Sequence, residues 1–201
     1  MKLAITLSVL CFVLFAGSLV TGRAPISIPQ SLGALFSDTG TPISVVMREI
    51  RLPRALLAVM IGASLGLSGA AMQGYLRNPL AEPGLIGVSA SAALGAVLAI
   101  QTGLASAFTL ALPLSALSAA LLSVTLVLLL AGPRGSSLTL ILAGIALSAL
   151  ASALTSLVLN LSPNPFAAAE IVFWMLGALS DRSFEHVWIA LPFMALGWVL
   201  L

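Results

Sequence analysis

The chain has 201 residues, of which 60% are apolar and 7% are charged, and its formal net charge is +2. Because about a quarter of the residues of a soluble domain are charged, this composition excludes a soluble enzyme, a disordered chain and a nucleic-acid-binding protein. One cysteine and one histidine exclude a disulfide framework and a metal site built from several such side chains. We therefore predict an all-α membrane protein, a polytopic helical bundle solvated by the lipid bilayer, with no metal and no other cofactor.

Charge-free runs of the chain predict membrane spans, because a spanning helix needs about 20 mostly apolar residues. Residues 83–133 carry no charge and suit two helices joined near residues 101–107, and the Pro-containing residues 160–166 break a later helix. We predict one transmembrane domain, residues 1–201, with spans at residues 3–22, 54–76, 84–101, 108–131, 138–159 and 187–201. The last run is too short for the roughly 30 Å hydrocarbon core, so we expect an incomplete sixth span and the front part of a longer protein.

The first span could also be a secretory signal peptide, because Lys2 precedes an apolar stretch. Its apolar region exceeds the usual length of about 7–15 residues, and Arg23 stands where a small residue is expected. Leu10 before Cys11 also argues against lipoprotein processing. We predict a retained span.

The basic residues leave the orientation in the membrane open. Basic residues concentrate in cytoplasmic loops, and six alternating spans divide those of this chain between two sides. One side carries Lys2, Arg77 and Arg134, and the other carries Arg23, Arg48, Arg51, Arg54 and Arg182. If all basic residues are counted, the larger group favours an outside N-terminus. If the cluster of residues 48–54 is external for a functional reason, it leaves the count, and the remaining basic residues favour a cytoplasmic N-terminus.

Small residues follow one face of the second span at helical spacing. This packing face consists of Gly62, Gly66, Gly69 and Gln73, and the pairs Ser91/Gly95 and Gly144/Ser148 repeat the pattern. Small side chains let helix backbones approach closely in lipid. The faces indicate either a tight bundle or helices that slide during a conformational cycle.

Three arginines, Arg48, Arg51 and Arg54, stand at the head of the second span, where Pro53 suits the first turn of a helix. Positive charges oppose the positive end of a helix dipole there, so local stability does not explain the cluster. The cluster is either an anchor to lipid headgroups or a docking patch for acidic side chains, which guanidinium groups bind in a bidentate manner.

The segment of residues 77–84 between the second and third spans contains two prolines and one glycine, which predict an ordered turn. It is either a connecting loop with an Arg77–Glu82 pair or a structural element packed against a central pathway.

Residues 66–69, Gly-Leu-Ser-Gly, match the pattern of rhomboid-type intramembrane proteases, in which a histidine activates the serine. The one histidine, His186, lies near the predicted membrane edge and no Gly-x-x-x-Gly follows it, so we predict no protease and no catalytic residue. Paired carboxylates for a proton relay and a Gly-rich lysine loop for ATP are also absent from the sequence.

The run of residues 51–89 resembles the FecCD family, the permease subunits of ABC importers for iron(III)–siderophores, haem and vitamin B12. The resemblance lies in R-L-P-R at residues 51–54, L-S-G-A-A-M-Q at 67–73 and R-N-P-L-A-E-P-G-L-I-G-V-S at 77–89, in this order. Weaker similarity continues at residues 140–146 and at Trp174, Gly177 and Trp188.

The resemblance implies a fold of about ten helices in the bacterial inner membrane, with a cytoplasmic N-terminus. It implies a transport subunit, not an enzyme, whose partners are a periplasmic substrate-binding protein, ABC ATPase subunits that hydrolyse ATP, and a second permease subunit, identical or related. Arg51 and Arg54, with Arg48 added, would dock the binding protein. Asn78 and Leu80, together with Ser137 and Leu138, would be gate elements at the cytoplasmic mouth.

We therefore expect a permease of a binding-protein-dependent ABC importer, with iron(III)–siderophore as the substrate. The family's cytoplasmic coupling segment and four further helices follow the sixth span, so we expect the chain as written to engage no ATPase. A secondary transporter or channel subunit, and a non-functional truncated remnant, are the alternatives.

Overall fold

The computed structural model describes residues 2–22, 24–37, 40–180 and 182–201, and every regular element within these ranges is helical, which confirms the all-α fold. The helices are α1 (Lys2–Val20), α2 (Ile28–Phe36), α3 (Pro42–Val45), α4 (Leu52–Leu76), α5 (Val88–Gln101), α6 (Ala111–Ala131), α7 (Ser137–Asn160), α8 (Pro165–Met175) and α9 (Phe184–Leu200). A π-helical turn, Val46–Arg51, joins α3 to α4, and short 3-10 turns lie at Pro83–Ile86 and Leu104–Ser106.

Four helical stretches of the described chain are long and apolar enough to cross a membrane. They are α1, the continuous stretch Pro42–Leu76, α6 and α7. The apolar helices α5, α8 and α9 are shorter than 18 residues. The six crossings at the boundaries given above therefore stay a prediction.

The third predicted span differs from the structure at its beginning. Instead of one helix from residue 84, a 3-10 turn precedes Gly87, and α5 begins at Val88. Gly87 has a φ of 77°, a left-handed conformation that an α-helix of L-residues cannot contain. The polypeptide therefore changes direction at Gly87, and α5 is only 14 residues long.

The helix that contains Pro53 begins earlier than the sequence indicated. Thr41 is its N-cap, accepting a hydrogen bond from the backbone N–H of Ser44 at 3.3 Å, and helical backbone runs from Pro42 to Leu76. The expectation that Pro53 occupies the first turn is wrong, because α3 and the π-turn precede it. The arginine cluster is therefore remote from the positive end of the helix dipole, and the conflict with the dipole disappears.

The chain divides into two compact units, of which the first contains residues 1–67 and 179–201. In this unit α2 and α3 pack against the π-turn, and Ser31, Ala34 and Met47 are buried there. A second cluster in the same unit joins the first half of α4 to α9 through Leu57, Met60 and Val187, together with a hydrogen bond from Trp198 Nε1 to Ser64 Oγ at 2.9 Å. The core of this unit therefore has two parts.

The second unit contains residues 68–178, and α5 is its central helix. α5 contacts α6, α7 and α8, and its Val97 and Ile100 form a buried cluster with Ile171 of α8. At Gly95 the α5 backbone lies directly against Ser115 and Ala119 of α6. This unit positions both predicted gate segments.

Candidate functional site

The three clustered arginines have different environments. Arg51 is only 3% exposed, and its guanidinium is hydrogen-bonded to main-chain carbonyls at the end of α1. Nη1 donates to the carbonyl oxygens of Leu19 at 3.1 Å and Val20 at 2.9 Å, and Nη2 donates to that of Ala24 at 2.8 Å. Arg51 therefore lies inside its unit, in contrast to the outward docking position expected for it.

Arg48 and Arg54 are half-buried, one on each side of Arg51 in the sequence. Glu49, between them, is exposed. Side chains with this intermediate exposure keep part of their charge accessible to water, in contrast to the buried Arg51.

The first predicted gate segment follows the end of α4. Arg77 has a φ of 50°, which is uncommon for a residue other than glycine, and it turns the chain out of the helix. The Asn78 side chain accepts a hydrogen bond from the backbone N–H of Leu80 at 2.9 Å, which closes the turn. The Leu80 side chain is 81% exposed at the tip of this turn.

The second predicted gate segment is the beginning of α7. Ser136 caps the helix by accepting a hydrogen bond from the backbone N–H of Thr139 at 3.2 Å. Ser137 and Leu138 are the first two helical residues and are exposed, with Leu138 63% accessible.

An apolar cavity of about 210 Å³ shows that the two gate segments lie at the same end of the second unit. The end of α4 lines it with Met72 and Leu76, the C-terminal half of α6 with Val127 and Leu128, and the start of α7 with Leu140. Because these helix ends share one cavity, the turn after α4 and the first turn of α7 are on the same side of the unit.

Only part of the predicted packing face of α4 contacts another segment of the chain. Apart from the neighbouring backbone of α4 itself, a Cβ at Gly62 or Gly66 would meet no described atom within 4 Å, whereas one at Gly69 would lie 3.9 Å from Pro83 Cδ. Gln73 donates a hydrogen bond from Nε2 to the carbonyl of Ala81 at 3.3 Å. The later half of this face therefore receives residues 81–83, and the earlier half has no such contact within its own unit.

The close approach predicted for Gly95 and Gly144 is confirmed. A Cβ at Gly144 would lie 2.5 Å from the carbonyl oxygen of Leu85 and 2.6 Å from Ile86 Cα. A Cβ at Gly87 would in turn lie 2.9 Å from the carbonyl oxygen of Gly144. The segment between α4 and α5 is thus packed against α7, and its predicted place beside a central pathway stays a prediction.

His186 participates in the start of α9. Its Nδ1 lies 3.3 Å from the backbone N of Ser183 in a capping box, and its Nε2 lies 3.1 Å from Nη1 of Arg182. These contacts account for both ring nitrogens, so the imidazole belongs to a helix cap.

The sequence profile of the FecCD transport family matches residues 10–201, nearly the whole chain. The chain belongs to the FecCD transport family. Its four long apolar helices and the permease names of its relatives agree that it is a multi-pass membrane protein.

Relatives of this FecCD chain are permease proteins. It is 37% identical over 177 residues to the uncharacterized ABC transporter permease protein YvrB of Bacillus subtilis, covering 86% of this chain and 50% of YvrB. Identity is 55% over 56 residues to the cobalamin import system permease protein BtuC of Halobacterium salinarum, covering 28% of this chain and 15% of BtuC. Identity is 50% over 66 residues to an iron chelatin transport system permease protein of Helicobacter pylori, covering 33% of this chain and 20% of that protein.

A solved structure of an inward-facing ABC transporter of the metal-chelate type has the same fold. Its TM-score is 0.78 at 34% sequence identity, and the match covers 97% of this FecCD chain and 58% of the solved chain. The chain therefore spans about half the length of YvrB and of this structural neighbour.

Sequence reasoning missed the contacts of Arg51 because its partners are main-chain carbonyls, which carry no side-chain signal. The available signal was Gly22, whose backbone lies against the guanidinium. The structure of this FecCD chain therefore distinguishes the buried Arg51 from the half-buried Arg48 and Arg54, which their sequence spacing could not do.

Proposed function

We propose that this chain is the permease part of a binding-protein-dependent ABC importer in the bacterial cytoplasmic membrane. The observation that carries the proposal is the family match over residues 10–201. The names of the relatives include a cobalamin and an iron chelatin system, and the structural neighbour is of the metal-chelate type. Metal chelates are accordingly the proposed substrate class, and iron(III)–siderophore is the proposed member.

The proposed orientation has a cytoplasmic N-terminus, with the arginine cluster on the periplasmic side. Helix α4 has 25 residues and therefore rises about 37 Å, more than the roughly 30 Å hydrocarbon core. Arg54 near its beginning and Asn78 just after its end consequently belong to opposite membrane surfaces. This separation supports docking at one end and gating at the other.

In the proposed mechanism, a loaded binding protein presents acidic side chains to the arginine cluster, in which Arg48 and Arg54 supply the accessible charge. Guanidinium groups suit this role because their planar N–H pairs bind carboxylates in a bidentate manner. A second permease subunit completes the pathway, and ATP hydrolysis on separate ATPase subunits supplies the energy.

The proposed gate consists of Asn78 and Leu80 together with Ser137 and Leu138. Their common location at one end of the second unit, beside the apolar cavity, supports this assignment. Leu80 and Leu138 are exposed apolar side chains at two helix ends. Small shifts of the unit that carries both, relative to the second permease subunit, would open or close an apolar constriction.

A docking measurement tests the proposal. The double substitution Arg48→Glu and Arg54→Glu is expected to weaken binding of the system's binding protein at least tenfold at low salt, because attraction becomes repulsion. Surface binding to the chain in lipid nanodiscs, at two salt concentrations, is the measurement. Lys2→Glu is the matched control, since it reverses an exposed charge at the proposed cytoplasmic side. Unchanged affinity and unchanged salt dependence in the double variant would contradict the proposal.

A further inference from the structure

We propose that the apolar cavity of the second unit binds an acyl chain of an anionic membrane lipid, and that Arg77 and Arg134 bind the phosphate of the same lipid. This site goes beyond the transport function proposed above and does not depend on it. All of its residues belong to the second unit, so the geometry of one compact body defines it.

The cavity lies between two matching helix faces. Its lining residues on α4 and on α6 each follow the spacing i, i+3, i+4, which places them on one face of their helix. The volume is about 210 Å³, and an enclosed apolar cavity of about 150 Å³ is enough to bind benzene in place of water. The α4 set is Met72, Tyr75 and Leu76, the α6 set is Val124, Val127 and Leu128, and Ile86 and Leu140 complete the lining.

The cavity lies at the depth of the upper part of an acyl chain. Val124 is seven residues before Ala131, the end of α6, and Leu140 is three residues after Ser137, the start of α7. At 1.5 Å per residue, the lining therefore begins roughly 5 Å inside the helix ends and extends to about 10 Å. Tyr75 is 73% exposed beside the cavity, and amphipathic tyrosine rings are typical of the headgroup level.

Both basic residues of the second unit lie at this end. Arg77 directly follows α4, and Arg134 lies in the connection between α6 and α7. Arg134 lines an open polar depression together with Ser136 and Thr139, and Thr139 is the sequence neighbour of Leu140 in the cavity lining. Both arginines are exposed, and a guanidinium group binds phosphate oxygens in a bidentate manner. A phosphate-binding surface therefore adjoins the apolar cavity.

The acidic residues of the second unit leave a surplus of positive charge at this end. They are Glu82 and Glu170. Glu170 is remote, because α8 packs beside Val158 and Leu159 at the other end of α7. Glu82 lies in the turn after α4, and its Oε1 is directed toward its own segment, 3.2 Å from a Cβ built at Gly84. One carboxylate against two arginines favours an anion here.

The combination of these two features indicates a lipid and not a free phosphate ion. The polar depression alone would suit any small anion, whereas the adjoining cavity suits the apolar tail of an amphipathic molecule. Charged headgroups at the level of the helix ends and apolar chains below them have the same order as the two parts of the site.

The site is separate from the proposed gate. Leu138 and Leu140 are two residues apart in α7, which corresponds to about 200° around the helix. Leu140 lines the cavity, so the exposed Leu138 lies on nearly the opposite face. The apolar constriction proposed for the gate and the lipid cavity therefore use different faces of α7.

Photo-cross-linking in phosphatidylcholine nanodiscs tests the site. The two probes are phosphatidylglycerol and phosphatidylcholine, each with the same photoactivatable group in the upper part of one acyl chain, and peptide mass spectrometry locates the labels. The phosphatidylglycerol probe is expected to label residues 72–76 and 140 more strongly than the phosphatidylcholine probe. Arg77→Gln and Arg134→Gln should each reduce this preference about fivefold. Arg54→Gln is the matched control and should leave it unchanged.

A neighbouring pair of leucines tests the cavity independently of the arginines. Leu128 lines the cavity and Leu129 does not, and both are more than half exposed, so neither substitution disturbs a buried core. Leu128→Trp is expected to fill part of the cavity and reduce labelling of residues 72–76 by the phosphatidylglycerol probe. Leu129→Trp should leave the labelling unchanged. Equal labelling in the two variants would overturn the proposal.

Three further results would also overturn it. Equal labelling by the two probes, or an unchanged preference in the double variant of Arg77→Gln and Arg134→Gln, would show that the arginines bind no lipid phosphate. Loss of the preference in inorganic phosphate, but not in sodium chloride of the same ionic strength, would indicate a site for a free anion. Labelling of the lining by neither probe would show that protein, such as a second copy of the chain, covers the cavity.

Discussion

At the scale of single residues, the glycines of this chain divide into those in close contact and those in open space. Gly95 and Gly144 lie where two backbones touch, whereas a Cβ at Gly62 or Gly66 would meet nothing within 4 Å in its own unit apart from the neighbouring backbone of α4. Their sequence spacing is the same, because spacing determines which helix face a residue occupies and not what packs against that face. The sequence therefore predicted small-residue faces but could not show which of them pack against another helix.

Gly95→Ala is expected to destabilise the second unit by about 1–3 kcal/mol, the usual cost of overpacking. The added Cβ would overlap the carbonyl oxygen of Ser115 and lie 2.6 Å from Ala119 Cβ, and neither backbone can move without separating α5 from α6. Thermal unfolding in detergent measures the change.

Gly74→Ala is the control for this substitution. Gly74 lies within α4 and is exposed, and its Cβ would meet nothing among the described residues. Alanine should be neutral there or stabilising by up to about 1 kcal/mol, because glycine is a poor helix former. Equal effects of the two substitutions would show that α5 and α6 are not in close contact.

At the scale of elements, the connection between α4 and α5 belongs structurally to α7. Residues 83–87 lie against Gly144, and Gln73 holds Ala81 from the side of α4. These contacts join the connection to both α4 and α7. They therefore also link the two proposed gate segments, Asn78–Leu80 and Ser137–Leu138. The two proposed gate segments should therefore keep a fixed distance from each other.

Gly144→Ala is expected to uncouple the two gate segments. A methyl group at this position would push residues 85–86 away from α7. Spin labels on Leu80→Cys and Ser137→Cys, in a Cys11→Ser background, should give a narrow distance distribution that broadens in Gly144→Ala. Gly74→Ala should leave the distribution narrow. An unaltered distribution in Gly144→Ala would show that the contact does not couple the segments.

The sequence predicted the long helices well because charge-free apolar runs are a strong signal. It missed α2 and α3, which are short and lie between the first two predicted spans, and α8, which lies between the last two. A signal for α2 was available, since Ser27 and Gln30 form a capping box with Pro29 in the first turn. The π-turn has no comparable signature, so the helix was begun at Pro53 instead of Pro42.

At the scale of the whole molecule, the docking and gating assignments depend on the orientation in the membrane. Counting basic residues left the orientation open, because the arginine cluster supplies most of the basic residues in the larger of the two groups. The structure buries Arg51 and leaves Arg48 and Arg54 partly exposed, but it leaves this count unchanged. Which arginine would be buried could not be predicted, because the phase of the helix there changes by one residue in the π-turn.

Cysteine labelling tests the orientation. Single cysteines replacing Lys2, Glu49 and Leu80, all of which are exposed, are made in a Cys11→Ser background. A membrane-impermeant maleimide applied to cells with a permeabilised outer membrane should label position 49 and leave positions 2 and 80 unlabelled, because α4 separates 49 from 80. Lysed cells, in which all three should react, are the control. Labelling of positions 2 and 80 with protection of 49 would reverse the topology and remove the docking assignment.

The π-turn has a consequence for how this helix tolerates changes in length. Loss of one residue from an ordinary α-helix rotates everything beyond it by about 100° and scrambles the buried faces. Within Val46–Arg51 the chain already contains a surplus residue, so a deletion there would restore a regular turn with α3 and α4 still in register. The main expected change is the direction of the Arg51 side chain. Related sequences could therefore differ in the position of this charge while the packing of α3 and α4 stays the same.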